Sequence, residues 1–195
     1  MRRRALLAAA PLAAFALTTR AARAAGDTDE AAAWAALRAG GCALLLRHAQ
    51  TEPGIGDPPG FRLDECSTQR NLSAAGRAQA QRFGAALRVR GVRIDEVRSS
   101  RWCRCLDTAR LAFPALDVQP FAPLDSFFED RRTEAQQTAA VRRYLADLGS
   151  RNALLVTHQV NISALAGQFA AMGEAVVVRP AAADAAAVVG RIRID

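Results

Sequence analysis

Two short apolar runs, Cys42 to Leu46 and Ala153 to Thr157, constrain the fold of this chain more than any other feature. A continuous apolar stretch of about five residues is too short for a helix and has the length of a buried strand. Helix-length segments lie around and between them. Asp27-Thr28-Asp29-Glu30 supplies an N-cap and first-turn acids for a helix through Arg38, which Gly40-Gly41 ends. Leu72-Ser73 opens a long helix to Arg90, stopped by Gly91, and further helices are expected over 102–113, 133–148 and 161–171. Ile94 to Ser99, Ala175 to Arg179 and Ala186 to Ile194 add β-rich pieces. Such alternation predicts a single three-layer α/β/α domain, with a mostly parallel sheet flanked by helices. Thr51 to Arg70 is rich in Gly, Pro and Asp and is expected to form an ordered surface loop.

The 195 residues suit one domain. Their formal charge of +7 would invite nucleic acid or an anionic membrane as partner if it belonged to the folded domain. The first residues argue otherwise. A basic start, an apolar stretch from Ala5 to Leu17 and the small-residue signal Ala22-Arg23-Ala24 form a secretory pattern, with cleavage expected after Ala24. Arg3-Arg4 followed by a weakly apolar centre resembles a twin-arginine export signal. The apolar stretch is well short of the ~20 residues of a spanning helix, so no stable membrane span is expected. Residues 1–24 are therefore taken as an export signal and 25–195 as the folded domain, periplasmic or secreted. Removing the segment's five arginines leaves 21 basic against 19 acidic residues, a net of about +2, and the case for nucleic acid weakens accordingly.

The chain has two histidines, His48 and His158, and each lies just past one of the apolar runs. In an open α/β sheet, ligands bind beyond the carboxyl ends of the strands, so both imidazoles are expected to face one crevice. Arg47 stands beside the first of them.

Leu46-Arg47-His48-Ala49-Gln50-Thr51 resembles the Arg-His-Gly/Ala-x-Thr signature of the histidine phosphatase superfamily, the phosphoglycerate mutase-like family. Ser99-Ser100-Arg101-Trp102-Cys103-Arg104-Cys105-Leu106-Asp107-Thr108-Ala109 is similar to its second block and aligns Arg104 with a second phosphate-binding arginine. Leu72-Ser73-Ala74-Ala75-Gly76-Arg77-Ala78-Gln79-Ala80 is similar to its first-helix pattern, and Val156-Thr157-His158 to the block carrying its second histidine.

The resemblance implies a histidine acid phosphatase-type phosphomonoesterase that works through a phosphohistidine at His48, with no cofactor and no metal. The chemistry suits the residue types. A transferring phosphoryl group spreads charge over three oxygens, and each planar guanidinium can hold two of them without losing its proton. Arg47 and Arg104 are the expected clamps, Thr51 a further hydroxyl donor, and His158 a second imidazole on the same oxygens. An imidazole whose other nitrogen is held by a backbone carbonyl is a competent nucleophile at neutral pH. The leaving alkoxide needs a proton, and the family commonly places an acid between the second arginine and the second histidine. Glu129 is the first choice for it, Asp130 the second, and the absence of a dedicated acid the third alternative; Asp125 or Asp130 could serve only as a turn residue or a helix cap.

Export favours a small-molecule or glycan phosphate as partner, such as a sugar phosphate or a lipopolysaccharide-core phosphate. A phosphohistidine or phosphoprotein phosphatase is the alternative within the enzyme class, and a silent phosphate- or polyanion-binding protein on the same fold is the alternative outside it. The oligomeric state stays open. Export also permits disulfides among Cys42, Cys66, Cys103 and Cys105. Cys66 and Cys103 both fall at the rim of the implied site and are the expected pair, with Cys105 as the other possible partner of Cys66.

Overall fold

The computed structural model describes residues 29–181 and 185–194. The export signal expected over 1–24 lies outside the described residues. The first described helix, α1, runs over 29–39. Then follow β1 (Ala43–Arg47), α2 (Ala74–Val89), β2 (Glu96–Ser99), α3 (Cys103–Ala112), β3 (Val118–Pro120), α4 (Glu134–Ala146), β4 (Ala153–Thr157), α5 (Gln159–Ala166), β5 (Glu174–Ala181) and β6 (Ala185–Arg193). Among the described residues, no helix is long and apolar enough to cross a membrane.

The six strands form one sheet in the order β3-β2-β4-β1-β5-β6. The pairs β1 with β4, β2 with β4 and β2 with β3 are parallel, whereas β5 runs antiparallel to both β1 and β6. The sheet is therefore mixed, and its parallel half contains both histidine-bearing strands. Successive side chains of a strand point to opposite faces. In β1, Leu44 and Leu46 join α1, α2 and α3 through Leu37, Phe83, Leu87 and Ala109. Ala43 and Leu45 meet α4 and α5 on the other face, through Val141, Leu145, Ile162 and Leu165. A strand covered on both sides has no polar face, which is why these runs are continuous and not alternating.

Two elements depart from expectation. β3 is a three-residue strand at the sheet edge, where the missing N–H of Pro120 costs least. The last helix spans Gln159–Ala166, not 161–171: His158 already serves as its N-cap, and Gly167 ends it at φ 64°, a left-handed conformation that favours glycine. The helix expected after Leu72-Ser73 starts at Ala74, with the Ser73 hydroxyl accepting from the Gly76 amide. Gly76 itself faces the Gln50 carbonyl, and a Cβ there would collide with that oxygen.

Candidate active site

β1 and β4 are neighbours in register, Arg47 opposite Thr157, and the His48 amide donates to the Thr157 carbonyl at 3.0 Å. The parallel pairing thus delivers His48 and His158 side by side at the carboxyl edge, with ring centroids 5.5 Å apart. β2 ends on the other side of β4 and contributes Ser99-Ser100 and, at the start of α3, Arg104. A cavity of about 500 Å³ opens here, and Arg47, His48, Arg70, Arg104, Glu129 and His158 all line it. Among the expected site residues only Thr51 does not: its hydroxyl accepts from Arg70 and donates to Met172 Sδ at 3.8 Å, so it holds Arg70 in place.

His48 is buried, and its Nδ1 lies 2.9 Å from the Ala49 carbonyl oxygen. A carbonyl only accepts, so Nδ1 carries the hydrogen and the neutral ring keeps its lone pair on Nε2. Burial first, then the Arg104 charge, lowers the His48 pKa to about 3 against the modest upward pull of the Ala49 bond. His158 is lowered well below its ordinary value by burial, by His48 and by the arginines. Its Nε2 sits 2.8 Å from Ser100 Oγ, and the same hydroxyl donates to Asp125 Oδ1 at 3.2 Å.

The arginines crowd one another. Burial, Arg70 and Arg104 all lower the Arg47 pKa, and Arg70 is lowered by burial and by Arg104. Arg47 Nη1 donates to the Ala170 carbonyl, yet Arg47 Nε and Arg104 Nε are buried with no hydrogen-bond partner among the described residues. Asp57, from the long loop, supplies a counter-charge. Its carboxylate pairs with Arg104 at 2.7 Å and accepts from the Arg70 amide and Trp102 Nε1, each at 3.0 Å. Burial would raise the Asp57 pKa, but the Arg104 bond and charge, with the other two donors, outweigh it and the net shift is downward.

The acid candidates separate. Asp130 caps the short turn Arg131–Thr133 and is gripped by Arg132, whose hydrogen bonds lower its pKa to about 2, so it holds no proton at neutral pH. Glu129 lines the cavity beside Gly56. Asp125 is a buried scaffold residue, paired with Arg101 at 2.6 Å. Arg62, Arg131 and Arg132 do not line the cavity and pair with Asp64, Glu134 and Asp130. Cys66 is bridged to Cys103, while Cys105 is a buried thiol whose pKa burial pushes up to about 12. The bridge ties the long loop to the first turn of α3, one residue before Arg104.

Residues 43–129 match the family model described as the histidine phosphatase superfamily (branch 1). Over that stretch, which carries Arg47, His48, Arg104 and Glu129, the chain resembles the superfamily. No curated protein matches it. Solved structures share the fold at low identity. The protein histidine phosphatase SixA complexed with tungstate aligns at 14% identity and TM-score 0.55, covering 77% of this chain and 96% of that one. The alpha-ribazole phosphatase from Shigella flexneri aligns at 20% identity and TM-score 0.52, over 79% and 99%. The mycobacterial glucosyl-3-phosphoglycerate phosphatase aligns at 19% identity and TM-score 0.54, over 70% and 92%.

Proposed function

We propose that the chain hydrolyses phosphate monoesters through a phosphohistidine at His48. One observation carries this: a buried, neutral imidazole with its Nε2 lone pair free stands among the guanidiniums of Arg47, Arg70 and Arg104, where burial and the neighbouring positive charge lower the pKa values of Arg47 and Arg70. Cations packed so closely in a desolvated site are stabilised by a bound dianion, and two buried Nε–H donors await acceptors.

In the first step Nε2 attacks phosphorus, the P–N bond forms and the ester P–O bond breaks. The leaving oxygen takes its proton from Glu129, the carboxyl on the cavity wall not engaged by an arginine in the way Asp130 is. Water then gives a proton to the Glu129 carboxylate as it attacks phosphorus, the P–N bond breaks, and inorganic phosphate leaves with the imidazole and the Glu129 carboxyl both restored. Arg47, Arg70 and Arg104 hold the equatorial oxygens, whose charge is best matched in the transition state. His158 bears on the same oxygens, its ring fixed by Ser100. We also place the substrate in an oxidising, exported compartment, supported by the character of residues 1–24 and by the Cys66–Cys103 bridge.

A generic aryl phosphate tests the reading. Wild-type hydrolysis is expected to fall at least 1,000-fold in His48→Ala, on the order of the loss of a covalent nucleophile. Activity that survives the substitution would overturn the assignment. Glu129→Gln should slow an alkyl ester far more than an aryl ester, whose leaving group needs less protonation.

A further inference from the structure

The cavity has two chemically different halves. Its floor carries Arg47, Arg70, Arg104 and the two histidines, while its wall and rim are mostly apolar, with Ile55, Phe61, Phe128, Val160, Phe169 and Met172. Of the polar side chains among them, Asp130 is paired with Arg132 and the Gln159 amide is bonded to Ser163, Gln168 and Ala170. The rim side chains are unusually open to solvent: Ile55 is 92% exposed, Phe128 59% and Phe169 65%. Among the described residues, the only other exposed large apolar side chains are Val89 and Val188, neither of which lines the cavity. Apolar surface concentrated at the mouth of one pocket marks a ligand contact, because scattered exposure needs no such clustering. Phe169 also reaches the floor, its ring lying 5.8 Å from the Arg47 guanidinium carbon. The hydrocarbon wall therefore begins where the phosphate clamp ends.

We infer that the substrate is a phosphate monoester of an apolar alcohol, with a hydrocarbon or aromatic body, and not a polyhydroxylated sugar phosphate. This rests on the phosphatase reading above. A sugar would lay hydroxyls against Phe128, Phe169 and Ile55, which offer them no hydrogen bonds, and each desolvated hydroxyl would count against binding. An alkyl or aryl body removes both its own surface and that of the three rim residues from water. At about 500 Å³ the cavity also exceeds the needs of a phosphate ion alone and falls in the range that accepts drug-sized ligands.

A homologous series separates this inference from the reading beneath it. Ethyl, butyl, hexyl and octyl phosphates have unactivated leaving groups of similar acidity, as do glycerol 3-phosphate and glucose 6-phosphate, so leaving-group chemistry cancels. We expect kcat/KM to rise at least tenfold from ethyl to hexyl, below the ceiling of roughly fourfold per fully buried methylene. Both polyol esters should be poorer substrates than hexyl phosphate. In Phe128→Ala/Phe169→Ala the hexyl-to-ethyl ratio should fall toward one, a ratio that loss of folded protein cannot change. Calorimetric binding of ethyl- and hexylphosphonate gives the same comparison without turnover. A flat series, a ratio unchanged in the double variant or a preference for the polyol esters would overturn the inference. If no ester is hydrolysed yet hexylphosphonate binds at least tenfold more tightly than ethylphosphonate, the phosphatase reading fails and the apolar ligand class stands.

Discussion

Asp57 Oδ1 lies 2.7 Å from Arg104 Nη1, with both side chains only 5% exposed, so a loop carboxylate occupies one of the donors a phosphate would use. On the function proposed above, a phosphate ester and Asp57 would compete for the same guanidinium. Asp57→Asn removes the competing charge and leaves a buried arginine uncompensated, a change that costs roughly 3 kcal/mol when one partner of such a pair is lost. We expect a lower melting temperature without ligand, three- to tenfold tighter binding of inorganic phosphate, and a larger thermal shift on adding it. Weaker phosphate binding in the variant would mean that Asp57 orients Arg104 for substrate and does not compete with it.

The depressed His48 pKa makes stability pH-dependent. The folded pKa is about 3 against 6.5 for the free side chain, so between those values the unfolded chain binds the extra proton and stability rises with pH. Acidification from pH 6.5 toward 3 should cost on the order of 4 kcal/mol through this residue. In the ligand-free protein, urea denaturation at pH 7 and pH 4 should show a smaller loss for His48→Asn, which cannot charge. Equal losses in both proteins would show that another group carries the acid sensitivity.

Gly76→Ala sets a helix-propensity gain of about 1 kcal/mol against overpacking of about 1–3 kcal/mol. The clash is with backbone, the Gln50 carbonyl two residues past His48, which also accepts from the Ser73 amide at 3.1 Å. Stability and kcat should therefore fall together, as read by thermal denaturation and initial rates. A more stable, fully active variant would show that this strand-to-loop junction yields freely.

Cys66 and Cys103 are 37 residues apart, and a bridge over such a loop contributes about 4 kcal/mol in the chain-entropy account. Cys66→Ser/Cys103→Ser should lose most of that. It should also raise KM, since the released loop carries Asp57 and Arg70 and Gln69 accepts from the Cys103 amide at 2.9 Å. An unchanged KM on a destabilised protein would confine the bridge to stability.

What could be read from the chain follows the range of the interactions involved. Strands β1 and β4 were legible because burial on both faces leaves an uninterrupted apolar run, and the positions of Arg47, His48 and His158 follow from parallel neighbours ending together. Arg104 and the Cys66–Cys103 pair came through resemblance of sequence blocks. Asp57 was invisible, because a carboxylate in a Pro/Gly loop acquires meaning only when the loop folds across α3, some 47 residues away in sequence. Thr51 fits its motif, yet its hydroxyl serves Arg70, a partner set by the course of that same loop. β3 escaped notice because three residues ending in proline carry no strand pattern.

Trp102 bridges the two parts of the site: its indole N–H donates to Asp57, and its ring stacks edgewise on His158 with centroids 5.3 Å apart. The other tryptophan, Trp34 of α1, lies against Arg90 at the end of α2. The protein thus carries its own optical reporter. Arrival of a phosphate ligand changes the charge beside one indole and leaves the other as an internal reference, so occupancy can be followed by emission with no label attached.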